Sequence, residues 1–107
     1  LGLDFNNLTH VKKSWFTGLI SINFLSLSNN RIEQIDPGCF GHLRRLINLN
    51  LEHNLLQVLD TLWFAGRRFL SFLYLGYNNI RSIPTGAFQN IRISELYLEE
   101  NAMSCLD

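Results

Sequence analysis

The sequence predicts an α/β solenoid in which short parallel strands stack turn upon turn and irregular or short helical segments return behind them. Three observations predict it. The block Leu-x-Leu-x-x-Asn recurs along the chain, and its asparagines Asn6, Asn30, Asn54, Asn78 and Asn101 are separated by 24, 24, 24 and 23 residues. Inside each block the apolar residues alternate, which is the period of a strand with one buried face. Between the blocks, further apolar columns keep the same phase. One such unit cannot bury its own apolar face, but stacked units share a continuous core.

Taken in chain order, the strands begin at Leu1-x-Leu3, Leu25-x-Leu27, Leu49-x-Leu51, Leu73-x-Leu75 and Leu96-x-Leu98. They recur in one direction, so they pair in parallel about 4.8 Å apart. Each return segment starts two residues past the Asn with Leu8, Ile32, Leu56, Ile80 and Met103. It continues with Val11, Ile35, Leu59, Ile83 and Leu106, then Phe16, Phe40, Phe64 and Phe88. It rejoins the next strand through Ile22, Leu46, Leu70 and Ile93. Two departures stand out. The position three after each Phe reads Leu19, Leu43, Arg67, Ile91, and the last period loses one residue between Ile91 and Ile93, which calls for a tighter loop. The Asn column, Asn6, Asn30, Asn54, Asn78 and Asn101, is expected to be scaffold. An amide side chain offers donors and an acceptor to the backbone groups that each strand end leaves unpaired.

Composition narrows the function. Hydrophobic residues make up 47% and charged residues 17%, too apolar for intrinsic disorder. Nine basic and nine acidic residues give no excess of cations for a dedicated nucleic-acid binder. No apolar run is long enough to span a bilayer, and no basic stretch leads into an apolar leader segment. His10, His42 and His53 have no metal-ligand spacing, and no nucleophile elbow or phosphate loop occurs. Glu99 and Glu100 are strand neighbours facing different ways, so they do not form an acid–base pair. No catalytic residue, metal site or cofactor is therefore expected.

These columns resemble the leucine-rich repeat, Leu-x-x-Leu-x-Leu-x-x-Asn-x-Leu-x-x-Leu-x-x-x-x-Phe-x-x-Leu. The stretch from Leu46 to Leu70, LINLNLEHNLLQVLDTLWFAGRRFL, carries one full unit. The repeat length and the Phe on the return are similar to the "typical" repeat of animal extracellular proteins, among them Toll-like receptor ectodomains, Slit-like guidance proteins and adhesion receptors. The resemblance implies a right-handed curved solenoid with its strands on the concave face. It also implies that the chain binds other macromolecules as part of an extracellular or cell-surface protein. Residues 1–107 are then one leucine-rich repeat segment of about four and a half repeats, without the N- and C-terminal caps of the family. Such a segment alone exposes core at both ends and is expected to associate.

The concave face holds the x positions of each block. Its rows read Phe24, Asn48, Phe72, Glu95; Ser26, Asn50, Tyr74, Tyr97; and Phe5, Asn29, His53, Tyr77, Glu100. Asp4, Ser28, Glu52, Gly76 and Glu99 lie on the same face. The candidate ligand-binding residues are Phe24, Asn50, His53, Phe72, Tyr74, Tyr77, Glu95, Tyr97, Glu99 and Glu100. Aromatic rings give large contact area at low entropic cost, and the carboxylates favour a protein ligand with a basic patch. The nine cations are expected elsewhere, giving an acidic inside and a basic outside. Neither nucleic acid nor direct membrane contact is expected. Two other roles compete: structural spacer repeats in a longer solenoid, or glycosaminoglycan association through Lys12-Lys13, Arg44-Arg45 and Arg67-Arg68 on the outer face.

Asn7-Leu8-Thr9 is a glycosylation sequon, with Asn7 pointing outward beside a buried Asn6. Cys39 is expected as a free thiol packed in the core. Cys105 is too distant from it for a bridge and is left to pair with something further along the chain.

Overall fold

Inward leucines at period two make each block extended, and the fixed interval makes successive blocks neighbours. A computed structural model describes residues 1–103 in these terms, as a β-solenoid of about four turns. Cys105 and Leu106 lie outside the described residues. Two short strands form on the return side, β1 (His10–Val11) and β3 (Gln34–Ile35). The main sheet is parallel and four-stranded, in the order β2 (Phe24–Ser26), β4 (Asn48–Asn50), β5 (Phe69–Tyr74) and β6 (Arg92–Tyr97). Leu25 lies opposite Leu49, Leu49 opposite Leu73, and Leu73 opposite Leu96. The first block joins through a Gly2–Ser26 bridge.

The core between sheet and return is dry. Leu25, Leu27, Leu49, Leu51, Leu73, Leu75, Ile32, Phe40 and Ile80 are fully buried. The phenylalanines form a spine, with ring centroids 5.9 Å apart from Phe16 to Phe40 and 5.8 Å from Phe40 to Phe64. Phe88 departs from its column: it is 45% exposed, because no described turn stacks beyond it. Trp15 faces solvent at the opposite end for the same reason, while Trp63 in the same column is buried.

The return side is more ordered than expected. β1 pairs with β3 in parallel, and a Val58–Ser82 bridge continues this second ladder. Short 3₁₀ turns cover Lys13–Phe16 and Thr61–Phe64, the second begun by Asp60, whose carboxylate accepts from the Leu62 amide at 2.9 Å. The one-residue deletion tightens the loop as expected: three residues separate Phe88 from Arg92, where four separate Phe64 from its register partner Phe69. Arg67, the cation in an aliphatic column, folds its guanidinium over the preceding turn and donates to the Leu43, Leu46 and Phe69 carbonyls. Burial lowers its pKa, yet three carbonyls satisfy the cation. Cys39 is a free, buried thiol. Burial, then the nearby Asp36 carboxylate, push its pKa up to about 12, so it stays a neutral packing group.

The first two turns are joined through the Asp36 carboxylate. Asp36 accepts from the Lys13 amide at 2.9 Å and meets His10 Nε2 at 2.6 Å. The Lys13 amide, then His10, hold the Asp36 carboxyl below its usual 3.8. Asp36 thus releases its proton more readily in the folded chain. It stabilises the fold above about pH 3.8, and that contribution is lost as pH falls through the folded value. Thermal melts from about pH 5 to about pH 2 should show a steeper loss of midpoint in the natural chain than in Asp36→Asn. Parallel curves would remove the linkage.

Candidate functional site

The concave face is built on the Asn ladder behind it. Asn54 Nδ2 donates to the Leu27, Leu51 and Glu52 carbonyls at 3.0, 3.1 and 3.2 Å. Its Oδ1 accepts from the Ile32 amide of the preceding turn at 3.0 Å. Asn30 and Asn78 repeat this arrangement one turn either side. Each strand carbonyl on the seam is therefore shared by two amides: Leu27 by Asn30 and Asn54, Leu51 by Asn54 and Asn78. Asn101 closes the ladder from the far end, donating to Leu75 and Leu98. Asn6, at the first turn, is exposed instead of buried, because no described turn precedes it. Asn7 is exposed as well.

Just before each Asn the backbone turns left-handed. Phe5, Asn29, His53 and Tyr77 have φ of 57° and Glu100 of 54°. Each costs roughly 1–2 kcal/mol for a residue other than glycine, and sequence reasoning did not find them. The reason is geometric. Leu27 and Asn30 both point inward across two residues, so strict alternation must break, and the left-handed residue makes the break. Its side chain is thrown onto the rim of the concave face. The only signal was negative: no member of this column is β-branched or Pro, the residues that tolerate such a backbone least.

The aromatic residues come together over the fourth and fifth turns. Tyr74 and Tyr97 are in register and stack with centroids 4.7 Å apart and planes 4° from parallel. Tyr97 Oη donates to Glu95 Oε1 at 2.8 Å, and this bond raises the phenol pKa. Phe72 lies in register with Glu95 beside this pair. Tyr77 stacks on His53 across 4.5 Å and is 47% exposed. Between the two stacks lies Gly76, and the Glu99 carboxylate occupies the space where a Cβ would otherwise stand. Glu95, Glu99 and Glu100 are exposed, while Phe72, Tyr74 and Tyr97 are half-buried.

The other half of the face is different. Phe24 is 45% exposed but separated from Phe72 by Asn48. Asn48 Oδ1 is enclosed there without a hydrogen-bond partner. Asn50 turns its Oδ1 to the Glu52 amide at 2.9 Å. Ser26 and Ser28, read as exposed, are buried under the Asp4 carboxylate, which accepts from both hydroxyls and from the Ser28 amide. Asp4 is thus internally satisfied, and the exposed carboxylates of this face are Glu95, Glu99 and Glu100 of the last turn. The basic residues also do not all avoid the sheet, since Arg92 opens β6.

Among the described residues no group of three or more His, Cys, Asp or Glu could hold a metal ion. No helix is long and apolar enough to cross a membrane. A protein-family model described as leucine rich repeat matches residues 1–56 and 44–103.

Proposed function

The chain belongs to the leucine-rich repeat family, whose repeats generally mediate protein–protein interaction, and from that premise we propose that its concave face holds a basic protein ligand as part of an extracellular or cell-surface protein. One observation carries the reading. Phe72, Tyr74, Tyr77 and Tyr97 cluster on two adjacent turns, the Tyr74–Tyr97 stack on one side of the Glu99 carboxylate and Tyr77 stacked on His53 on the other, edged by Glu95 and Glu100. The three tyrosine rings are already ordered by stacking, so little of their side-chain freedom is lost on contact. The carboxylates favour cationic partners and hasten their approach. Phe24, Asn50 and His53 extend the surface toward the earlier turns. The exposed sequon at Asn7 and the resemblance to extracellular repeats support the location, and the glycan there is part of the proposal.

The test uses a displayed random-peptide library selected against the chain. Recovered sequences should be enriched in Lys and Arg. Tyr74→Ala with Tyr97→Ala should weaken those peptides by about 2–3 kcal/mol, roughly 30- to 150-fold. The double variant should remain folded, since an aromatic pair contributes only about 1 kcal/mol beyond its buried area. Neutral or acidic peptides, or unchanged affinity, would remove the assignment.

A further inference from the structure

We propose that a ladder of arginines along the leading edge of the main sheet is a docking strip for a sulfated glycosaminoglycan chain. The strip lies where each return segment enters its strand, apart from the aromatic face, and the proposal stands independently of the concave-face reading.

Three consecutive turns bring arginine to this edge. Arg44 and Arg68 occupy equivalent positions one period apart, with Arg45 beside the first. Arg92 follows, its amide donating to the Arg68 carbonyl at 2.9 Å. Arg67 holds the strip together. Its guanidinium bonds the Leu43 and Leu46 carbonyls and so ties the Arg68 turn to the segment that carries Arg44 and Arg45. That clamp spends Arg67 on the backbone and leaves the other four side chains exposed.

These four are also uncompensated. Residues 41–47, 65–71 and 89–94 contain no Asp or Glu. Among the described residues, no arginine or lysine lies within ion-pair distance of a carboxylate, and the one close acid–histidine contact, His10 with Asp36, is on the return side of the first two turns. In a chain of zero net charge, the attraction for anions is therefore local to this edge, reaching about 10 Å at 0.1 M salt.

The geometry selects among polyanions. Rungs one strand spacing apart place three cationic turns within roughly 10 Å, in single file. Guanidinium groups bind planar or tetrahedral oxyanions through paired N–H donors. A narrow single-file row fits a linear chain that carries sulfates and carboxylates along its length. A nucleic-acid duplex needs a broader cationic surface, on the order of 1,000–2,500 Å². Single-stranded nucleic acid needs a ring for each successive base, and at this edge the exposed phenylalanines, Phe69 in register with Arg92 and Phe88 beside it, both lie at the Arg92 end, with none beside Arg44 or Arg45.

The experiment titrates the 107-residue chain with a size-defined heparin oligosaccharide over a range of salt. Double-stranded DNA and phosphatidylserine vesicles are the comparison probes. The variant Arg44→Gln/Arg68→Gln/Arg92→Gln is set against Lys12→Gln/Lys13→Gln/Arg81→Gln, which removes the same charge from elsewhere. The ladder variant should lose most of the heparin affinity and lower the slope of log affinity against log salt by roughly three. The control variant should keep both, and heparin should bind more tightly than DNA or vesicles. Melting curves check that both variants fold. Equal losses in the two variants, no heparin binding by the natural chain, or tighter binding of DNA or vesicles would overturn the proposal.

Discussion

Asn54→Ala should lower the unfolding free energy by about 3 kcal/mol and the melting midpoint by on the order of 15 °C. The magnitude follows from which groups are left without a partner. The Leu27 carbonyl keeps Asn30, the Leu51 carbonyl keeps Asn78, and the Glu52 carbonyl keeps the Asn29 amide. The Ile32 amide is the exception, since Asn54 Oδ1 is its one acceptor and Ile32 is fully buried. An orphaned buried donor costs about 1–3 kcal/mol, and the lost second bonds to the carbonyls add the remainder. Asn79, one residue past a ladder position, is exposed, and Asn79→Ala should change stability by less than about 0.5 kcal/mol. Chemical denaturation of both variants gives the comparison. Equal effects would mean that the ladder does not hold the turns together.

Gly41→Ala should cost about 3 kcal/mol, more than its single added methyl suggests. Gly41 is buried on the return side, and a Cβ there would overlap the Ala65 carbonyl oxygen of the next turn. The obstacle is backbone, so no rotamer change relieves it, and the two turns must separate. The Phe40–Phe64 contact and the Phe40 amide bond to the Trp63 carbonyl at 3.0 Å lie next to the strained point. Gly2→Ala is the control, because nothing stands within 4 Å of a Cβ there. A denaturation midpoint for Gly41→Ala close to the natural one would show that the turns are packed less tightly than described.

The stacking of this chain was legible because a repeat reports the same physical requirement several times. A single Leu-x-Leu means little, but Leu25, Leu49, Leu73 and Leu96 in phase leave only one way to share a core. The register rows of the sheet followed directly, and Tyr74 beside Tyr97 is one of them. What failed depends on position along the stack. Phe88 and Asn6 obey their columns in sequence but lack a neighbour on one side, so Phe88 and Asn6 are exposed where Phe40 and Asn54 are buried. Side-chain networks were also hidden. Nothing in the spacing says that Asp4 covers Ser26 and Ser28, or that Asn50 turns back to the Glu52 amide. The effect was to overstate the acidic surface of the early turns and to leave the later turns as the open part of the face. Arg67 shows the converse. A cation in an apolar column reads as a defect until the three carbonyls around it are seen.

The left-handed row links scaffold to surface. Its backbone cost is met by the Asn ladder that follows it, and its side chains stand on the rim where a ligand would approach. His53 stacked on Tyr77 is thus held in place by the same turns that bury Asn54 and Asn78. A face organised in this way presents its rings without rearrangement, which is the condition under which a small aromatic surface binds tightly.

The most direct test of the concave assignment is a photocrosslinking map with a library-selected basic peptide. Benzoylphenylalanine is placed at position 77 on the concave rim and, separately, at position 58 on the return ladder. Crosslinking from position 77, absent from position 58 and competed by the unlabelled peptide, is the result expected. Crosslinking from position 58 with position 77 silent would place the ligand on the other side of the solenoid and contradict it.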